Sequence, residues 1–231
     1  MFTANISRKV SMRPRFVLPP FFCLILLILS ACTSQSTSSV PTPTAAKGDA
    51  LYIPVSKKPE IIVKSENAAQ ITVVGSDIVQ TISTDRMSLP YKKEGNKVTI
   101  DFGETVIEHV EIKIPRQASL SVTLKEGNIA VDTIQGQVSI TLNNGPIRLM
   151  NFTPLGTNTI TTKNGTINTT FDKASCNLKA QTDVGAIVSG YSTIKEKRSG
   201  MKDEASGIIG TGSAATVNLV ARYGSITLGP A

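Results

Sequence analysis

The sequence predicts an all-β domain that begins near residue 49 and consists of short strands separated by glycine turns. Three observations support this prediction. Apolar and polar residues alternate with a period of two through most of the chain after residue 50. Glycines recur at intervals of 9, 9, 20, 20 and 39 residues, and a β-branched residue stands two positions after each one. After the first 31 residues, no segment carries the apolar stripe of 3.6-residue period that is typical of a helix.

Residues 1–31 precede this domain and resemble a bacterial lipoprotein signal peptide. The basic residues of the leader are Arg8, Lys9, Arg13 and Arg15, and no acidic residue occurs before Cys32. The apolar segment 16–29 is interrupted by Pro19-Pro20, so it is shorter than the about 20 apolar residues that span a bilayer as a helix. The order Leu29-Ser30-Ala31-Cys32 resembles a lipobox.

This resemblance predicts cleavage before Cys32 and lipid attachment, including palmitate, to that cysteine. The lipid would anchor a secreted domain on the extracytoplasmic side of a cell membrane or at the cell surface. The alternatives are an ordinary cleaved signal peptide or an uncleaved anchor. Cleavage would lower the net charge from +7 to +3, because 20 basic residues would remain against 17 acidic ones. Such a balance does not indicate nucleic-acid binding, which usually needs a dense basic face.

Residues 32–48 follow the predicted cleavage site and are rich in Ser, Thr and Pro. With almost no apolar content, the segment cannot offset the entropy of ordering, and we expect a flexible tether. Cys176 is the single cysteine of the domain at residues 49–231, which therefore has no intrachain disulfide. A buried, unreactive thiol is expected there.

Five alternating runs predict the first strands of the domain. They are residues 61–63, 71–74, 78–82, 97–102 and 110–114. Pro115 is expected to end the last run, and Glu94-Gly95-Asn96 predicts a hairpin turn before Lys97.

The second half of the domain carries an internal repeat of strand, glycine turn and strand. Its glycines are Gly127, Gly136, Gly145, Gly165, Gly185 and Gly224, and two positions after each stand Ile129, Val138, Ile147, Ile167, Ile187 and Ile226. A cycle of about 20 residues favours a solenoid, in which each cycle is one coil stacked ~4.8 Å above the last. A β-sandwich is the alternative, because it also has turns every 8–12 residues.

The alternation also predicts the buried face of the coils. Its residues are Val122, Ile129, Val138, Ile140, Ile147, Leu149, Ile160, Ile167, Leu178, Ile187, Val217, Leu219 and Ile226. In a solenoid, residues 20 positions apart should stack, which predicts that Ile147 contacts Ile167 and that Ile167 contacts Ile187.

The same motifs resemble a bacterial adhesin-like family of β-strand-repeat domains. The resemblance covers about residues 53–228 and rests on Ile112-Lys113-Ile114-Pro115, the segment 118–123 and Gly-x-Ile-x-Val units such as the one at Gly127. It implies a right-handed, single-stranded β-helix or solenoid-like domain of unknown function, commonly in a lipoprotein or a membrane-anchored surface protein. The repeat loosens between Tyr191 and Ser213, where the coils of the family would continue.

Catalytic and metal-binding residues are scarce, so no catalytic, metal or cofactor site is predicted. His109 is the single histidine and lies in an alternating run, which favours a plain strand residue over a general base. The carboxylates Asp101, Asp132, Asp172 and Asp183 are not grouped by spacing. Aligning the cycles puts Asn143, Lys163 and Asp183 in one column, which is not the row of carboxylates that a polysaccharide lyase would need.

One basic stretch interrupts the repeat. Its residues are Lys195, Lys197, Arg198 and Lys202, interleaved with Glu196, Asp203 and Glu204. A solvated loop is the simpler interpretation, and a site for anionic envelope molecules is the alternative.

These observations predict a non-enzymatic, lipid-anchored surface protein whose domain offers a structural or interaction surface to an unidentified envelope ligand. The alternatives from other classes are an envelope enzyme acting on polysaccharide and an envelope-stress component acting through a membrane partner. Neither the oligomeric state nor the choice of inner or outer membrane follows from the sequence.

Overall fold

A computed structural model describes residues 51–77, 80–86, 88–211 and 214–231. The predicted signal peptide, Cys32 and the tether lie outside the described residues, as do Ile78 and Val79 of one predicted strand.

Across the described ranges there is no helix long and apolar enough to cross a membrane.

The described part of the chain forms eighteen β-strands. Their bounds are β1 Leu51–Pro54, β2 Glu60–Ser76, β3 Thr81–Thr84, β4 Tyr91–Glu94, β5 Lys97–Asp101, β6 Ile107–Pro115, β7 Ser119–Asp132, β8 Gln135–Gly136, β9 Val138–Asn144, β10 Ile147–Pro154, β11 Thr157–Asn164, β12 Ile167–Phe171, β13 Cys176–Val184, β14 Ile187–Ser189, β15 Ile194–Ser199, β16 Lys202–Ile209, β17 Thr216–Tyr223 and β18 Ile226–Pro230. The predicted all-β class is confirmed, as are the hairpin turn at Gly95 and the strand end at Pro115.

The strands stack as coils, and each coil has two long sides that meet at a corner. On the first side β7 pairs with β9 and β9 with β11, all in parallel, and on the second side β7 pairs with β10 and β10 with β12, also in parallel. A sandwich of antiparallel meanders would not give this in-register parallel pairing between successive coils. The solenoid prediction is therefore confirmed over the sandwich.

Seven coils can be traced in chain order through the residues that the structure describes. Coil 1 is β2, coil 2 is β5 and β6, coil 3 is β7, coil 4 is β9 and β10, coil 5 is β11 and β12, coil 6 is β13 and β14, and coil 7 is β17 and β18. The pairings place them along the stack in the order 2-1-3-4-5-7-6. The last coil of the chain is thus inserted between coils 5 and 6.

Of the two predicted contacts between core isoleucines, the structure confirms one, and the insertion of coil 7 corrects the other. Ile147 is the register neighbour of Ile167, as expected from the 20-residue cycle. Ile167 is not a neighbour of Ile187, because Ile226 lies between them and pairs with both. The loosened repeat after Tyr191 is the β15–β16 hairpin, which carries the chain back so that coil 7 can enter the gap.

A row of glycines forms the corner between the two sides. A Cβ atom on Gly145 would lie 1.7 Å from the carbonyl oxygen of Gly127, and one on Gly224 would lie 1.8 Å from that of Gly165. Backbone approach, together with a positive φ of 134° at Gly145, requires glycine at this corner. Gly136 was predicted to belong to this row but lies in β8, which pairs with the end of β10. The true cycle there is therefore the 18 residues from Gly127 to Gly145.

All thirteen predicted core residues are buried, each at most 3% exposed. They form one continuous apolar core with the buried residues of coils 1 and 2, such as Ile61 and Ile112. Burying an Ile, Leu or Val side chain contributes about 1.5–3 kcal/mol, so this core is the main stabilising element. Asn158 is a fully buried polar exception: its Oδ1 accepts from Val138 N at 2.8 Å, and its Nδ2 donates to Thr216 O at 3.0 Å.

Antiparallel strands close both ends of the stack. At one end β4 pairs with β5, and β1 reaches β6 through β3. At the other end β16 pairs with β13, and β15 covers β16. The covering strands β4 and β15 are short and rich in charge, which discourages pairing with a further chain at the open sheet edges.

Candidate interaction surface

The outer face of the first side is built from rows of polar residues that cross the strands. Each row forms because a strand alternates inward and outward and the parallel coils stack in register. One row passes from Ser139 through Thr159 and Asn218 to Lys179. The sequence alternation that fills the core therefore also produces an ordered polar surface.

Cationic residues collect on this face over coils 5, 7 and 6 and the β15–β16 hairpin. We call this region the basic face, and its outward cations are Lys163, Lys179, Lys195, Lys197, Lys202 and Arg222. Two carboxylates, Asp183 and Glu204, share the region. Six positive groups against two negative ones give a local excess of positive charge.

A groove of about 550 Å³ lies within the basic face. Its cationic walls are Lys179, Lys195 and Lys197, and its neutral polar lining is Gln181, Ser206 and Asn218. Lys195 and Lys179 flank Ser206 on three adjacent strands, β15, β16 and β13. The groove therefore combines ammonium groups with amide and hydroxyl groups on rigid strands.

Glu204 forms an ion pair with Lys202 and is also the register partner of Lys197 on β15. Its Oε1 lies 2.6 Å from Nζ of Lys202, in an ion pair at the edge of the groove. The hydrogen bond from Lys202 and its positive charge, with a smaller contribution from the charge of Lys197, lower the pKa of Glu204, and the same hydrogen bond raises the pKa of Lys202. Within the described ranges, Lys179, Lys195 and Lys197 form no ion pair.

The sequence identified only part of this surface. Lys195, Lys197, Arg198 and Lys202 were expected on a solvated loop, but they lie in the ordered β15–β16 hairpin or at its turn. Lys179 and Arg222 were not predicted as site residues. The alternation of inward and outward positions indicates that both side chains face outward, but only the insertion of coil 7 brings them together.

The predicted column of Asn143, Lys163 and Asp183 is interrupted by the same insertion. Arg222 on β17 lies between Lys163 and Asp183, since the flanking pairs are Thr162–Ala221 and Thr182–Ala221. Lys163 and Asp183, which the aligned cycles predict to be direct neighbours, are therefore separated by Arg222.

The candidate catalytic residues remain dispersed. His109 is exposed on β6, and its backbone carbonyl accepts hydrogen bonds from the guanidinium group of Arg86. Asp101, Asp132 and Asp183 each accept a local hydrogen bond, from Gly103 N, Asn151 Nδ2 and Gln181 Nε2 respectively. Among the described residues, no three His, Cys, Asp or Glu side chains are grouped to hold a metal ion.

Cys176 begins β13 and is fully buried. Burial raises the pKa of its thiol to about 11, so the reactive thiolate is scarce near neutral pH. The expectation of a buried, small apolar residue is confirmed.

The comparisons with known proteins agree with this architecture. A family model described as Toastrack DUF4097 matches residues 50–228. The chain belongs to the Toastrack DUF4097 family. The expected resemblance to a β-strand-repeat family is thus confirmed at the level of family and fold.

One solved structure is similar to this Toastrack domain. It is a "putative cell adhesion protein" from Clostridium sporogenes ATCC 15579, with a TM-score of 0.57 and 13% sequence identity. The alignment covers 80% of this chain and 100% of that chain. At this identity the likeness establishes a shared fold. A search of curated proteins gave no match.

Proposed function

We propose that this Toastrack protein is a non-enzymatic interaction domain, displayed on the outer side of a bacterial membrane by a lipid on Cys32. The observation that carries the interaction role is the basic face, an ordered polar surface with a groove built on rigid strands. The likeness to the Clostridium sporogenes protein, which is described as a "putative cell adhesion protein", supports a role at the cell surface.

The position of the chain entry supports display of the basic face. Leu51 lies in β1, which reaches coil 2 through β3 and β6 at one end of the stack. The basic face lies over coils 5, 7 and 6 at the opposite end. Six steps of ~4.8 Å separate the first and last coils by about 29 Å. A lipid tether at the N-terminus would therefore leave the groove at the far end of the domain.

The non-enzymatic part of the proposal is supported by the character of the site. The groove offers lysines, amides and hydroxyls, and the carboxylate among its described lining residues, Glu204, is paired with Lys202. A glycoside-cleaving site would place two carboxyl groups about 5–10 Å apart, on either side of the bond to be broken. Binding suits this lining better than acid–base chemistry.

The anchor is tested by labelling with palmitate. Wild-type protein expressed in a bacterium should incorporate labelled palmitate and partition into detergent, while the Cys32→Ser variant should do neither. Equal labelling of the two proteins would remove the lipid anchor from the proposal.

The interaction role is tested with a soluble domain of residues 49–231 carrying a fluorescent label. It should bind saturably to intact cells that lack the protein, and unlabelled domain should compete with it. The same domain, incubated with envelope polysaccharide, should release no new reducing ends. Absence of saturable binding would refute the interaction role, and release of reducing ends would refute the non-enzymatic role.

A further inference from the structure

We propose that the groove of the basic face binds a linear polyol-phosphate polymer of the cell envelope, a chain of sugar-alcohol units joined by phosphodiesters. This inference deepens the proposed function and rests on it. The residues assigned to binding are Lys179, Lys195 and Lys197 for the phosphates, and Gln181, Ser206 and Asn218 for the polyol hydroxyls.

The spacing of the cations suits a repeating anion. Lys195, Ser206, Lys179 and Asn218 occupy one row across β15, β16, β13 and β17. Strands in a sheet are ~4.8 Å apart, so the two lysines of the row are about 10 Å apart, with a hydroxyl group between them. Lys197 lies two residues along β15, on the same side of the strand as Lys195. The groove thus presents three positive charges at separate positions: two in the row, and a third displaced along β15, where it faces Glu204.

The lining also distinguishes among polyanions. Among the residues that the structure describes, no aromatic side chain lines the groove, so this lining lacks the stacking platform on which single-stranded nucleic acids are usually held. Its amides and hydroxyls match alcohol groups, which alternate with phosphates in a polyol-phosphate chain. Lysine binds phosphate as a point charge and needs no planar partner.

A polymer strand fits this surface better than the head groups of a bilayer. The cations line a recess that crosses four strands, and a slender chain can enter it along the row. A bilayer presents its phosphates as a plane, which would contact the rim of such a recess before its floor. We therefore assign the groove to a polymer, and lipid binding is a competing outcome of the test.

The experiment is calorimetric titration of the 49–231 domain with lipid-free poly(glycerol phosphate) at low salt. Wild-type domain should bind, and the affinity should fall steeply with salt, because each phosphate contact releases counterions. Replacing the three groove lysines by Gln (K179Q/K195Q/K197Q) should weaken binding by about tenfold or more and flatten the salt dependence.

The matched control removes the same charge elsewhere. Lys57, Lys64 and Lys125 are exposed and lie outside the basic face. The variant K57Q/K64Q/K125Q should bind within about twofold of wild type, since long-range attraction is screened beyond ~10 Å at 0.1 M salt. Thermal melting of both triple variants shows whether each remains folded. Because the groove lysines are exposed on strands, we expect both to melt like wild type.

Two further probes separate the sources of phosphate. Vesicles of phosphatidylglycerol and phosphatidylcholine and an oligothymidylate should each bind at least about tenfold more weakly than the polymer, per phosphate. The inference is overturned if the groove variant binds the polymer like wild type, if the two triple variants lose affinity equally, or if vesicles or oligothymidylate bind as well as the polymer. Absence of polymer binding by a domain that still decorates cells would overturn this inference alone, whereas absence of decoration would overturn the proposed function.

Discussion

The two ends of the coil stack show the same spatial pattern but arise from opposite chain orders. At the N-terminal end, coil 1 lies between coils 2 and 3, so the middle coil is the first in the chain. At the C-terminal end, coil 7 lies between coils 5 and 6, so the middle coil is the last. The first arrangement can grow outward on both sides of coil 1. The C-terminal arrangement is complete only when the last residues of the chain lie between coils 5 and 6. Coil 7 is therefore required to join coil 6 to the rest of the stack.

Removing coil 7 should have the largest effect on the molecule. A chain ending at Ala215 would leave β11 and β13 without their common neighbour β17, and β12 and β14 without β18. We expect loss of the cooperative thermal transition, because the apolar core residues of coils 5 and 6 that pack against coil 7 would be exposed to water. Circular dichroism melts of the 49–215 and 49–231 domains measure this.

A short truncation at the N-terminal end should be much milder. A domain starting at residue 56 loses β1, which pairs only with β3 among the described strands. It should still unfold in a single transition. If the chain ending at Ala215 also melts cooperatively near the wild-type temperature, coil 7 is not required to join coil 6 to the rest of the stack. In that case Ile187 could have taken the place of Ile226 beside Ile167.

Corner glycines should be the next most sensitive positions. Gly145→Val and Gly165→Val should each cost more than about 3 kcal/mol, since a Cβ there would lie 1.7 or 1.9 Å from a carbonyl oxygen of the adjacent coil. Gly95→Ala is the control, because φ is also positive there but no atom lies within 4 Å of the added Cβ. It should cost about 1 kcal/mol. Urea unfolding measures all three, and equal costs would contradict the steric account of the corner.

Core truncations at the two ends should separate global stability from local opening. Ile226→Ala in coil 7 and Ile112→Ala in coil 2 both remove fully buried side chains and should cost ~2–5 kcal/mol each. Only Ile226→Ala should speed the labelling of Cys176 by iodoacetamide below the unfolding transition, because the thiol belongs to coil 6. If both variants accelerate labelling equally, coil 6 opens only by global unfolding. Asn168→Ala, on the outer face, should change stability by less than about 0.5 kcal/mol.

Engineered disulfides should report the coil order with little effect on stability. Asn168 is the register neighbour of Thr227, which in turn neighbours Val188. The pair N168C/T227C should therefore oxidise readily. The pair N168C/V188C should not, since two strand spacings, ~9.6 Å, exceed the ~7 Å limit for a disulfide. Non-reducing mass spectrometry of the two variants distinguishes them, and the opposite result would restore the simple 20-residue stacking.

Local features of the fold were accessible from the sequence, but the order of the coils was not. Alternation places Ile167, Ile187 and Ile226 in the core because each side chain must leave water, whichever strand lies beside it. The choice of neighbour depends on which strand pairs with which, and these three positions follow the same glycine motif. The 39-residue interval before Gly224 and the irregular stretch after Tyr191 were the only local signs of a departure.

The candidate site follows the same division. The basic residues near Lys197 are close in sequence and form a recognisable group, whereas their hairpin conformation depends on strand pairing that the sequence pattern does not indicate. Lys179 and Arg222 join them only through pairing between distant segments. A surface assembled by strand insertion leaves no compact motif in the chain, and so composition and spacing could not reveal the groove.

The order of the coils at the two ends of the stack, 2-1-3 and 5-7-6, also restricts how domains of this type can change in length. Coils 3, 4 and 5 are the stretch of the stack where each coil is followed, in the chain and in space, by the next one. A duplicated unit of about 20 residues inserted here would add one layer of ~4.8 Å and leave the coil order at both ends unchanged. Duplication of coil 1 or coil 7 would instead separate partners that must meet. The fold can therefore accommodate a tandem duplication in the middle of the domain but not at its ends.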